Sequence, residues 1–215
     1  MRDMDKKIIQ AAKFISTLFL PLYAPVLAFL WLFFFSYMRL LPLFYKLQIL
    51  LIVLCFTVLI PHFSINVFRR LNRWTHWQLS HREHRHMPYV LTLLSYTCCL
   101  LLFSHINAAM FFRGIIMASL VAQVICVLVN TRWKISTHMV GIGGLLGMII
   151  AFSVLFYYNP VWPTCGLLLL SGLLGSSRMI LRQHSLSQVI VGFLVGFACA
   201  MLFLLFAWTP YFYIL

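Results

Sequence analysis

Apolar residues arrive along this chain in long unbroken runs rather than in the short alternation of strands. They occupy about 14–38, 47–68, 89–108, 110–130, 138–158, 161–177 and 185–208, most of them near the ~20 residues a helix needs to cross a bilayer core. Polar punctuation separates them: Arg39 to Lys46 with Pro42, the stretch Arg69 to Pro88, the Ser104-His105-Ile106-Asn107 turn, Asn130 to Ser136, and Tyr158-Asn159-Pro160. In hydrocarbon only a helix or a closed barrel satisfies its own backbone. The pattern therefore predicts an all-α, polytopic transmembrane bundle of about seven helices forming one integral membrane domain over 1–215. Six crossings result if 161–177 inserts only in part or if one early pair is re-entrant.

Composition sharpens this picture. Hydrophobic residues make up 63% of the chain and charged residues 9%, against ~45–50% and ~25% in soluble domains, and mean hydropathy is +0.99. A soluble enzyme and a disordered chain are both excluded. The net charge of +13 would suggest nucleic acid in a soluble protein. Here the charges interrupt apolar runs, so no nucleic-acid partner is expected, and membrane topology and an anionic ligand account for them. The first run is too long for a signal peptide and lacks an A-x-A cleavage pattern, so it reads as a retained anchor. The six cysteines all lie inside apolar runs without a CxxC spacing, as small apolar fillers. The aromatics read as lipid-facing bulk and interfacial belts.

With seven crossings, polar segments fall alternately on two faces. One face holds the N-terminus and the stretches 69–88, 131–137 and 178–184, with thirteen of the sixteen Lys and Arg; Arg39, Lys46 and Arg113 fall on the other. Positive-inside reasoning makes the basic face cytoplasmic.

The same face gathers side chains suited to chemistry. One segment reads Lys134-Ile135-Ser136-Thr137-His138 and enters a helix; another carries Ser177 and Arg178, then His184 and Gln188 at the start of the last helix; a third holds Arg82, Glu83, Arg85 and Pro88. Gln188 stands one helical turn beyond His184, where it can fix the tautomer of the imidazole. Gly192 and Gly196 continue that series, while Gly141, Gly143, Gly144 and Gly147 line the helix after His138, so the two histidine-bearing helices are expected to pack closely. Cations, two histidines and a hydroxyl suit a phosphate, with arginine clamping its oxygens. One histidine can attack phosphorus and the other protonate the departing alkoxide. No metal or other cofactor is required.

These residues resemble the type 2 phosphatidic acid phosphatase (PAP2) superfamily over about 82–196. Ser177-Arg178-x5-His184 is similar to its third signature, Ser136-Thr137-His138 to its second, and Arg85-His86-Met87-Pro88 loosely to its first. The wider strings around His138 and His184 look like a divergent bacterial branch. The resemblance implies a PAP2-like catalytic core in a multi-pass protein of the bacterial cytoplasmic (inner) membrane, acting on a phosphorylated lipid. It implies His184 as nucleophile, oriented by Gln188, with His138 as general acid. Arg178, Ser136 and Arg85 would be phosphate ligands, with Arg82 or Lys134 replacing an absent lysine of the first motif. Position 188 carries Gln where the family has Asp, and 137 carries Thr where it has Gly.

Those departures motivate the rival reading, a non-catalytic binder or transporter of phosphorylated lipid on the same scaffold; a phosphotransferase passing the phosphoryl group to an alcohol is a further variant. His76, His81, His84 and His86 invite a metal site, disfavoured because Glu83 is the only acid nearby, and two-histidine haem ligation involving His138 is a lesser alternative.

Overall fold

A computed structural model describes residues 2–71 and 86–206, and among them every regular element is helical. In chain order these are α1 (Arg2–Leu18), α2 (Ala24–Phe35), α3 (Leu43–Leu54), α4 (Ile60–Leu71), α5 (His86–His105), α6 (Met110–Asn130), α7 (Thr137–Phe156), α8 (Val161–Ile180) and α9 (Leu186–Phe206). Five stretches are long and apolar enough to cross a membrane: Lys6–Phe35, Leu43–Phe68, Met110–Asn130, Thr137–Phe156 and Leu186–Phe206. They mark an integral membrane protein. The other two expected crossings fall on α5, whose apolar part Tyr89–His105 is shorter, and on α8, whose ends carry Pro163, Thr164, Ser176, Ser177 and Arg178.

Two local features depart from the run pattern. The apolar run 14–38 is not one helix: α1 stops at Leu18 and Leu20 is extended, with φ −62° and ψ 139°. Pro21 follows Leu20, and a proline disfavours helical geometry in the residue before it. A 3-10 turn over Pro21–Tyr23 then leads into α2. Further on, a π turn over Cys55–Leu59 joins α3 to α4. Ser95 of α5 donates to the Phe56 carbonyl in that turn at 2.5 Å, pairing a main-chain group where the regular helical ladder is disturbed.

The core runs around α7, where Met139, Ile142, Leu145, Leu146, Met148, Ile149, Ala151 and Phe152 are buried. Against it lies α9 at backbone distance. A Cβ on Gly143 or Gly196 would run into the carbonyl of Phe193 or Val140, and one on Gly147 would stand 2.5 Å from the Phe197 oxygen. The expected close approach of the histidine-bearing helices is therefore present, and only glycine permits it at these positions. Gly141 instead faces Ala24 and Pro21.

The aromatics correct an expectation. Phe29, Phe103, Phe111, Phe112 and Phe152 are buried in the core and not turned to lipid, because edge-to-face pairs such as Phe29–Phe112 at 5.3 Å and Phe111–Phe152 at 5.5 Å complement ring edges with ring faces. Tyr158 meets both Trp31 and Tyr37, which draws the turns after α2 and α7 together at one end of the bundle. Large apolar side chains such as Phe34, Leu101, Trp162 and Leu169 cover the outside, as expected where the solvent is lipid.

Candidate functional site

At the end of the bundle opposite the Tyr158 cluster, the segment before α7 meets the α8–α9 connection. The loop leaving α6 is braced by Asn130, whose Oδ1 accepts from the Ile135 N–H at 3.1 Å and whose Nδ2 donates to the Tyr89 hydroxyl at 3.1 Å. Lys134 Nζ donates to the Gln183 carbonyl at 2.8 Å, and the Ser136 N–H donates to the Gln188 carbonyl at 3.4 Å. Gly192 makes room for this seam, since a Cβ there would stand 2.7 Å from the Ser136 oxygen. After α8, Arg182 takes a left-handed φ of 51° of the kind that ends helices. The Gln183 N–H returns to the Arg178 carbonyl at 3.1 Å, and the chain turns to deliver His184.

Ser136 occupies the N-cap position of α7 but makes no capping bond. Its hydroxyl is fully buried and has no hydrogen-bond partner among the described residues. Such a group costs roughly 1–3 kcal/mol unless something else pairs with it. A helix cap is thus not its role here.

The two histidines hold opposite protons. Gln188 Oε1 receives the main-chain N–H of Ser185 at 3.2 Å and stands 3.2 Å from His184 Nδ1. Because a backbone N–H can only donate, the Gln188 atom is the amide oxygen, so the Nδ1 of His184 must be the protonated nitrogen. In the neutral ring the lone pair is left on Nε2. His138 Nε2 lies 3.2 Å from the carbonyl of Ser16, an obligatory acceptor, so here Nε2 carries the proton and the buried Nδ1 does not bond to any described residue. The expected i, i+4 pairing of Gln188 with His184 is present.

Arg178 reaches the same place. Its Nη1 donates to Ser16 Oγ at 2.5 Å, and its buried Nε has no partner among the described residues. Arg178 and His184 both lie within electrostatic range of the His138 ring. His138, Arg178 and His184 are therefore brought together, with Ser136 tied to the start of α9 and Lys134 bonded into the α8–α9 connection. Arg82 and Arg85 lie outside the described residues, as do Glu83, His76, His81 and His84. Among the described residues no three His, Cys, Asp or Glu side chains are placed to share a metal.

Ser16 was not legible as a site residue. It lies on the buried side of α1 with Ala12 one turn earlier, and this two-residue face inside a lysine-flanked segment is the only sequence signal for it. No family model, curated protein or solved structure matches the chain.

Proposed function

We propose that this protein is a membrane lipid-phosphate phosphatase that hydrolyses a lipid phosphomonoester or diphosphate through a phosphohistidine, within a PAP2-like core. The single observation that carries the reading is the pair of opposite tautomers beside Arg178. A nucleophilic imidazole needs a lone pair on the nitrogen that faces phosphorus, and a general acid needs an N–H on the nitrogen that serves the leaving oxygen, in a ring that carries a second proton when it acts.

In the mechanism, Arg178 and the Ser136 hydroxyl, which has no partner among the described residues, bind phosphate oxygens, displacing the Ser16 contact from the guanidinium. His184 Nε2 attacks phosphorus, forming an N–P bond as the ester P–O bond breaks. His138, which must take up a second proton and act as the imidazolium once the phosphate anion is bound, gives its Nε2 proton to the leaving lipid oxygen and returns to the neutral ring. Gln188 holds His184 Nδ1–H throughout, and water then cleaves the N–P bond to release inorganic phosphate. The motif resemblance around His138 and His184 supports the same assignment, with α5 and α8 completing seven crossings in a bacterial cytoplasmic membrane.

A second reading, a binder or carrier of phosphorylated lipid without turnover, is favoured by one observation: Ser16 occupies both His138 Nε2 and Arg178 Nη1. A phosphate-release screen over phosphatidate, phosphatidylglycerophosphate and polyprenyl diphosphate in detergent separates them. Release that survives a chelator supports the phosphatase, and saturable lipid binding without release supports the carrier.

A further inference from the structure

Beside the histidine cluster the bundle holds a half-open space. A cavity of about 320 Å³ lies among α2, α5, α6, α7 and α9, within the ~300–1,000 Å³ range of small-ligand sites. Thr137, the residue between Ser136 and His138, is part of its wall. So are Pro21, Ala24, Gly141 and Leu145, which also form the narrow groove against His138. These four residues line both spaces and so lie between the cavity and His138. The remaining wall is mostly aliphatic, which suits a hydrocarbon chain.

The wall is not uniformly apolar. Gln123 and Ser119, one turn apart on α6, both face the space. Tyr96 of α5, itself only 1% exposed, lines the same space beside Gln123. Gln123 Oε1 is buried and has no partner among the described residues. Ser119 donates its own proton to the Ile115 carbonyl at 2.9 Å, which leaves its oxygen as an acceptor. Gln123 lies seven residues before Asn130, or about 10 Å along the helix at ~1.5 Å per residue, and Asn130 is bonded to the loop that carries Ser136. A polar patch thus stands a short way below the level of the cluster.

We infer that the cavity binds the acyl chain and linkage group of a glycerolipid, with Gln123, Ser119 and Tyr96 recognising the ester carbonyl or glycerol hydroxyl nearest the headgroup. This rests on the phosphatase reading for the position of the phosphate. A glutamine amide presents either a donor or an acceptor after a half-turn of its terminal torsion, so it can pair with a carbonyl or a hydroxyl. A polyprenyl chain is pure hydrocarbon up to the oxygen that carries phosphate, so at the depth of the patch it offers neither group and would leave Gln123 unpaired in an apolar space. The cavity therefore selects acylated glycerol over a prenyl chain.

The experiment measures binding without phosphate chemistry. The full chain in detergent is titrated with diacylglycerol and with a prenyl hydrocarbon such as squalene, neither of which carries phosphate, and bound lipid is read by native mass spectrometry. Diacylglycerol should bind about tenfold more tightly, as expected for one buried hydrogen-bonding group. Gln123→Leu should abolish the difference, and Ala122→Phe, which fills the cavity, should exclude both lipids. Equal binding of the two lipids, a preference for the prenyl hydrocarbon, or a preference unchanged by Gln123→Leu would overturn the assignment, as would absence of binding to the wild type. If Gln123→Leu does not fold, Ser119→Ala should weaken the preference in its place, and an unchanged preference counts against the proposal. Because neither lipid carries phosphate, diacylglycerol binding by a protein that releases no phosphate would refute only the catalytic reading. Phosphate release undiminished in Ala122→Phe would refute only the cavity.

Discussion

Gln188 Oε1 lies 3.2 Å from His184 Nδ1 and is held there by the main-chain N–H of Ser185. The contact fixes which nitrogen of His184 is protonated, yet it would bring no negative charge to an imidazolium formed in the proposed reaction. A carboxylate in this place would supply both the tautomer and the charge.

Gln188→Asp should therefore raise turnover. The tautomer is already correct, so the gain is limited to charge stabilisation, on the order of ten- to a hundredfold in kcat. Steady-state phosphate release by the two proteins measures it. An active wild type that gains nothing would show that the charge of this partner is irrelevant.

Ser16 ties α1 to the site through Arg178, and Ser16→Ala removes the hydroxyl while keeping the carbonyl that faces His138. A lost hydrogen bond to a charged group costs about 1.5–3 kcal/mol. Thermal unfolding in detergent should show a lower midpoint. In the phosphatase reading Arg178 is then released for phosphate, so KM should not rise. A raised KM would make Ser16 part of the substrate site itself.

The seam between α7 and α9 gives a paired stability test. At Gly196 a Cβ would collide with the Val140 carbonyl, whereas at Gly172 of α8 nothing lies within 4 Å of that position. Gly196→Ala should destabilise by about 1–3 kcal/mol as the backbones are forced apart. Gly172→Ala should be neutral or stabilise by up to ~1 kcal/mol through helix propensity. Midpoints of thermal unfolding for the two variants compare them directly.

Much of this architecture could be read in the chain because it is written locally. Runs of apolar residues placed the helices, and the glycines at 141–147 and 192–196 announced that α7 and α9 would touch. Gln188 could be paired with His184 because four residues in a helix make one turn. What remained hidden depends on tertiary contact. Ser16 meets His138 across 122 residues and Arg178 across 162, with no motif at either end. The polar patch of Gln123, Ser119 and Tyr96 looked like scattered polar residues until α5 and α6 were packed together. The aromatic core is hidden for a related reason: phenylalanine suits a lipid face and a protein core equally, and only packing decides between them. The break before Pro21 is masked because the hydrophobicity around it is continuous, although proline constrains the backbone whatever its neighbours' polarity.

The central claim is that His184 accepts the phosphoryl group, and trapping that adduct tests it most directly. The protein is mixed with a lipid phosphate, quenched at alkaline pH where phosphohistidine persists, digested and mapped by mass spectrometry. The account predicts a phosphoryl group on the peptide containing His184, absent in His184→Ala together with phosphate release. Phosphate release that continues in His184→Ala, or a phosphoryl group found on another residue, would contradict it.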